Sequence, residues 1–429
     1  MLNTAGLSLD QAPPIGVPFA FFLTAPLFAV AAGGLLLWQG ELVLISRWTP
    51  PALAVTHLIA LGFLTQIMCG ALLQMLPVLA GSPVPRVVLV GRATQVLLIL
   101  GTLSLSADLL WGGAAWLTLG GGSLMAGLTI FATAAGSALA RARGVRRTVV
   151  AMRLALVALL VTLLLGVLLV VALLGGWRVA GFVDWVNLHL AWGLLGWAGL
   201  LIMGVGYQVV PMFHVTPAYP DWLMRWAAPL VAVVLTVASA LTANGQGAAA
   251  TGWMGLSTLC FVVFAGVSLD RQRRRERPRL DATLLYWRSA MISALLAAAL
   301  WLAGGRAELV GVLVLIGVGV GLPSGMLFKI VPFLSWFHLQ HRQVATRRFD
   351  VRVPHMHTFI PEAPARIQFG LYLVALLALV AAAALPAFDV APGVGKSLAR
   401  LGGLALVLSS GFLWFLLARS FWRFRGFGL

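Results

Sequence analysis

Charge is scarce in this chain: only 10% of its 429 residues are Asp, Glu, Lys or Arg, whereas 61% are hydrophobic and the mean hydropathy is +0.99. A soluble core cannot absorb that much apolar surface, which excludes a water-soluble globular domain and leaves a polytopic membrane protein. Acids are scarcest, 12 against 29 Lys and Arg. The resulting net charge of +17 would suit nucleic acid, but the basic residues fall in short clusters between apolar runs. That is the form of the positive-inside bias, and it speaks against nucleic-acid binding. Cysteine is almost missing. Cys69 and Cys260 each lie inside an expected span, so neither a disulfide framework nor a thiolate metal centre can be built. No Gly-rich phosphate loop follows a strand and no zincin-type His-Glu pair occurs, so a soluble catalytic domain is not hidden here. The opening MLNTAGLSLDQAPPIG has no basic segment ahead of a full-length span, and no cleaved signal peptide is expected. Asp108, Asp184, Glu41 and Glu308 sit at outer ends of expected spans, leaving the spans almost free of the carboxylates that a proton-pumping path requires.

What is present is a series of apolar runs of spanning length, broken by Gly, Pro and charge, which predicts an all-α fold of about twelve transmembrane helices. Helices two, six and ten are expected over residues 51–80, 185–214 and 307–338. Each carries the same short signature: Gly70, Gln74 and Pro77 in the first, Gly204, Gln208 and Pro211 in the second, Gly325, Lys329 and Pro332 in the third. Three copies, each about a third of the chain apart, predict one transmembrane domain of three pseudo-threefold four-helix repeats, approximately 1–143, 144–277 and 278–429. The divisions fall in the basic linkers Arg141–Arg147 and Arg271–Arg279. With both termini cytoplasmic, about 24 of the 29 Lys and Arg lie inside. The expected location is therefore a bacterial inner membrane, with the lipid bilayer as the first partner.

Histidine inside a span is uncommon, because both ring nitrogens must be satisfied where water is absent. His57 leads helix two and His189 helix six. One reading makes them the two axial ligands of a single haem, each giving a neutral imidazole nitrogen to iron; the other has each ring bonded to a neighbouring helix or capping an aqueous vestibule. They stand 13 and 15 residues before their signature glycines, on different helical faces at about 100° per residue. Gly62, Gly70, Gly204 and Gly206 let helices approach closely or let a flat macrocycle lie on the backbone, and the signature prolines end or bend their helices. Gln74, Gln208 and Lys329 read as interfacial packing groups or as a polar ring around a substrate path. The other histidines, His214, His338, His341, His355 and His357, fall on the cytoplasmic side. The i, i+3 pair and the His-x-His motif form a candidate site for copper, zinc or a second haem, or are ordinary interfacial residues of a basic loop. Trp185, Trp192 and Trp197 read as belt and packing rather than an electron path.

Three stretches carry a family resemblance: PFAFFLTAPLF at Pro18–Phe28, HLIALGFLTQIMCGALLQMLPVLAG at His57–Gly81, and the helix from His189 through MFHVTP at Met212–Pro217. With twelve helices in three repeats, the chain resembles the haem-copper oxidase catalytic subunit and, more closely, the NnrS-like membrane proteins, which contain haem and copper and are linked to nitric oxide metabolism. The resemblance implies that His57 is a low-spin haem ligand and that His189 stands where the oxidases place a copper ligand. Helix six lacks the His-x-x-x-Tyr pattern, helix seven has no adjacent His-His pair and helix ten has no His-x-His at depth. The full oxygen-reducing site is thus not expected. The expected function is a membrane haem protein, carrying electrons through a bis-histidine haem b from a donor such as quinol or a cytochrome, or handling nitric oxide. The alternatives are a membrane transporter and a copper- or haem-handling protein that uses the cytoplasmic histidines.

Overall fold

The structure is a computed structural model that describes residues 12–142, 146–175, 179–276, 278–385 and 392–427. The first eleven residues of the opening stretch, positions 143–145 of the first basic linker and Arg277 of the second lie outside the described residues. Among those described, twelve helices are long and apolar enough to cross a membrane and no strand occurs. In chain order they are α1 (Gly16–Gln39), α2 (Pro50–Val78), α3 (Val87–Trp111), α4 (Ala114–Ala140), α5 (Arg147–Leu173) and α6 (Phe182–His214). They continue with α7 (Asp221–Ala243), α8 (Gly247–Arg273), α9 (Ala282–Leu302), α10 (Ala307–Thr346), α11 (Glu362–Ala384) and α12 (Gly393–Arg425). The protein is an all-helical membrane protein.

Local chemistry sets the ends. Thr49 caps α2, its hydroxyl accepting from the Ala52 N–H at 3.3 Å, with Pro50 and Pro51 in the first turn, where their missing N–H groups cost nothing. Asp281 caps α9 by accepting from the Leu284 N–H at 2.9 Å. Arg271 and Arg273 close α8, complementing the negative end of its dipole. Of the two expectations for the signature prolines, that they end or that they bend their helices, the first is not met. Pro77, Pro211 and Pro332 all lie inside helix, and α10 runs on to Thr346, eight residues past its expected end, through the polar helix-forming stretch HLQHRQVAT.

The contacts divide the chain into two compact units, one built on Ala71–Pro278 and the other on Pro14–Gly70 with Arg279–Leu429. Within the first, α5 packs on α4, α6 and α7, and α7 packs on α8; within the second, α1 and α11 both lie against α12, and α9 lies against α10. A polar network locks the core of the second unit. The Tyr286 hydroxyl of α9 donates to Gln368 Oε1 of α11 at 2.5 Å, and Gln368 Nε2 donates to Ser409 Oγ of α12 at 2.9 Å. The Tyr372 hydroxyl donates to the Gly317 carbonyl of α10 at 2.8 Å. Such groups are tolerated where no water reaches because each finds a partner.

Three helices share an unforeseen feature. Each contains eight residues of π-helix, Leu58–Thr65 in α2, Trp192–Gly199 in α6 and Leu313–Val320 in α10. The three stretches begin 12 residues before Gly70, Gly204 and Gly325, in one register. A second glycine lies inside each: Gly62, Gly196 and Gly317. A Cβ at the two glycines of α2 would meet Phe28 of α1 at 2.3 Å and Phe21 at 2.8 Å. In α6 it would meet Ala158 and Ala151 of α5 at 2.8 and 2.6 Å, and in α10 Ser293 and Tyr286 of α9 at 2.5 and 2.4 Å. The contacted residues are seven apart in every case, so the same interlock joins α1 to α2, α5 to α6 and α9 to α10.

This interlock sets a test. Gly317→Ala should lower stability by about 1–3 kcal/mol through overpacking, read as the midpoint of thermal unfolding in detergent, with partial recovery when Ser293→Gly is added. Gly311→Ala on the same helix, with nothing within 4 Å of its Cβ position, should leave the midpoint unchanged. Equal effects of the two glycine changes would contradict the packing role.

Candidate functional site

His57 is the last residue before the π stretch of α2, in the second unit, and His189 stands three residues before that of α6, in the first. The π stretch is common to both helices, so the two-residue difference in register, and with it the difference in face, is kept. Each ring is half-buried and anchored through Nδ1. His57 Nδ1 lies 2.8 Å from the Leu53 carbonyl of its own helix, and His189 Nδ1 lies 3.1 Å from the Thr162 carbonyl of α5. A carbonyl only accepts, so Nδ1 carries the proton in both rings and the Nε2 atom of the neutral ring carries the lone pair. That is the tautomer a metal ligand needs, held by a carbonyl partner of the usual outer-shell kind.

The two rings are held differently. A Cβ on Gly166 of α5 would lie 3.3 Å from His189 Cε1 and 3.7 Å from its Nδ1, so the Cε1–Nδ1 edge of the imidazole packs closely where α5 carries a glycine. Gly166 and Thr162 are four residues apart and therefore on one face of α5, the first making room and the second supplying the acceptor. Sequence reasoning missed both, although an isolated glycine in MRLALVALLVTLLLGVLLVV was a visible signal. Three of the four glycines named as a possible seat for a macrocycle are occupied: Phe28, Phe21 and Ala151 fill the hollows at Gly62, Gly70 and Gly204. These three serve helix packing.

The signature's polar residues divide likewise. Lys329 Nζ lies 2.7 Å from Asp281 Oδ2, with the side chains 16% and 14% exposed. Asp281 thus holds the lysine of α10 with one oxygen and caps α9 with the other. Gln74 is buried and Gln208 half-buried. Trp192 donates from Nε1 to Ser239 Oγ at 2.9 Å and Trp197 meets Phe131 edge-on at 6.4 Å, which makes both packing residues of the first unit.

The remaining histidines occupy three places in the chain. His214 is buried at the end of α6, beside Val215 in the left-handed region with φ +53°. His338 and His341 share a face of α10, both against Phe337, with centroids 5.4 and 4.6 Å away. His355 and His357 stack on each other at 5.0 Å in the segment before α11. Among the described residues no three of His, Cys, Asp or Glu come together as a metal group. The two acids nearest in sequence are engaged: Arg348 bonds Asp350 at 3.0 Å and holds its carboxyl below the usual range, and Arg366 bonds Glu362 at 3.0 Å.

Comparison of the sequence with protein-family models and with curated proteins finds no match. The site therefore rests on its own chemistry.

The ion pair is open to direct test. Lys329→Met removes the cation from a largely buried carboxylate and should cost about 3 kcal/mol, whereas Lys329→Met with Asp281→Asn should recover most of it, because asparagine still caps α9. Chemical denaturation of the single and double variants measures both. If the single change costs nothing, the structural role of Lys329 is refuted.

Proposed function

We propose that this chain is a haem protein of the inner membrane, with both termini cytoplasmic, its twelve helices arranged as three four-helix repeats in the manner of the haem-copper oxidase catalytic subunit. The observation that carries the haem reading is the shared anchoring of His57 and His189, two span histidines whose Nδ1 atoms each lie within hydrogen-bond distance of a backbone carbonyl, the arrangement that in a neutral ring puts the lone pair on Nε2. The common interlock of α1 with α2, α5 with α6 and α9 with α10 supports the threefold arrangement. The donor set fits haem b, which takes two neutral imidazoles and no thiolate. Bound haem would supply a reversible one-electron carrier, or an iron able to meet nitric oxide. The chain's own contribution is to tie each ring to a backbone carbonyl and so orient it. The scarcity of carboxylates in the spans favours electron transfer over proton pumping. Quinol or a cytochrome is the class of donor such a carrier requires.

Purification from haem-replete cells should give a Soret band and a low-spin ferric spectrum. His57→Ala and His189→Ala should each abolish the low-spin signal if one iron uses both rings; loss of about half the signal in each variant would mean separate centres. A preparation without a Soret band would refute the haem reading. Orientation has its own readout. Gly166→Val should displace the His189 ring from Thr162 and shift the g-values of the low-spin ferric signal while haem content stays near that of the parent; unchanged g-values would show that α5 does not orient this ring.

A further inference from the structure

In the second unit, the segment before α11 and the end of α12 with the two residues that follow it face each other across a cavity of about 440 Å³. Its lining is Pro354, Thr358, Phe359, Arg423, Gly426 and Phe427, one guanidinium among apolar and backbone surfaces with no carboxylate. Arg423 donates from Nη1 to the Thr358 carbonyl at 2.5 Å. That bond uses one of the five N–H donors of the guanidinium and fixes the group in the cavity wall. Two further guanidiniums lie on ring faces of the same helix end, outside the cavity lining: Arg425 over the Phe421 ring at 5.8 Å and Arg342 over the Phe424 ring at 4.7 Å. The C-terminal end of α12 opposes an anion with about half an elementary charge, and Arg423 and Arg425 outweigh it.

Depth identifies the class of guest. Trp422, next to Arg423, is 77% exposed at the end of a helix long and apolar enough to span, the position where tryptophan marks the level of lipid headgroups. A cavity at that level, with a fixed guanidinium and apolar walls, matches a ligand that is anionic at one end and apolar beyond it. We propose that this cavity binds the phosphate of an anionic phospholipid, Arg423 accepting the charge and Pro354, Phe359 and Phe427 lying against the glycerol and the first acyl carbons. The site is independent of haem.

The test uses the purified full chain in detergent, exchanged with phosphatidylglycerol or phosphatidylcholine, with retained lipid counted by native mass spectrometry. Phosphatidylglycerol should be retained in preference. Arg423→Gln should lower that retention about tenfold, the scale of one charge-assisted hydrogen bond. Because Arg423 also holds Thr358, a second variant leaves that bond intact: Phe427→Asp places a carboxylate in the lining and should expel the lipid to a similar extent with an unchanged melting temperature. Equal retention of the two lipids by the parent chain, or parent-level retention in both variants, would overturn the proposal. Displacement of phosphatidylglycerol by millimolar inorganic phosphate would assign the site to a free anion and overturn the lipid reading.

Discussion

In hydrocarbon, two helices gain from meeting only as much as their surfaces fit, because lipid tails are as apolar as the side chains they would displace. The distance between helix backbones is therefore the quantity on which this structure depends, and glycine sets it. Each interlock places two glycines of one helix against two residues of its partner seven apart, two turns of the partner helix. In α2 the partners are phenylalanines, in α6 alanines, in α10 a serine and a tyrosine. The side chain seated on the glycine varies widely while the register does not, so the constraint acts on the backbone and leaves the partner side chain open to change. The same device recurs outside the signature, where Gly33 of α1 and Gly403 of α12 bring a Cβ position within 2.8 Å of a backbone carbonyl.

The π stretches belong to the same constraint. A π turn is wider than an α turn and its hydrogen bonds reach one residue further, so it re-phases the helix on either side. In each of the three helices one interlock glycine lies inside the π stretch and the other five residues beyond its end, so the two seats are brought onto one partner across a stretch where α-helical spacing would not hold. The π backbone is also engaged directly: the Gly317 carbonyl accepts from Tyr372, and Gly321 leaves space for that hydroxyl. Two π stretches meet within the second unit, where the Cβ position of Gly319 lies 3.8 Å from Leu64 and 3.9 Å from Ile59. Three of these uncommon segments stand in one register, each beginning 12 residues before its signature glycine.

The twelve spans were legible because twenty apolar residues between charged breaks have few other fates, and the common register was legible in Gly70, Gly204 and Gly325. The rest was hidden for identifiable reasons. A π stretch has no composition of its own; LIALGFLT, WGLLGWAG and LVLIGVGV share only a glycine at the fifth position, inside runs already rich in glycine. Proline in a sequence signals an end or a bend, yet a proline inside a buried helix needs only a neighbour to cover the carbonyl it frees, and α10 continues 14 residues beyond Pro332. Lys329 reads in sequence as an interfacial packing group or part of a polar ring because its partner, Asp281, lies 48 residues away. The nitrogen anchors of His57 and His189 were beyond sequence altogether: one carbonyl is four residues away on the same helix and the other 27 away on α5.

That last contrast bears on what the two rings can do. An imidazole bonded to the carbonyl four residues earlier in its own helix moves as that helix moves, and its direction is set by its two side-chain torsions and one backbone turn. An imidazole bonded to the adjacent helix, lying on a glycine of that helix, takes its direction from the packing of two helices, here the α5 and α6 pair joined at Gly196 and Gly204. Rigid placement is what a ligand pair needs if iron is to change oxidation state with little rearrangement, since imidazole orientation and hydrogen bonding tune the metal. His189 is held in that way by contacts running from Gly166 and Thr162 to the interlock itself. Orientation at the candidate site and close packing of the helices are therefore one requirement on α5, in which Thr162 and Gly166 continue the helix begun by Ala151 and Ala158.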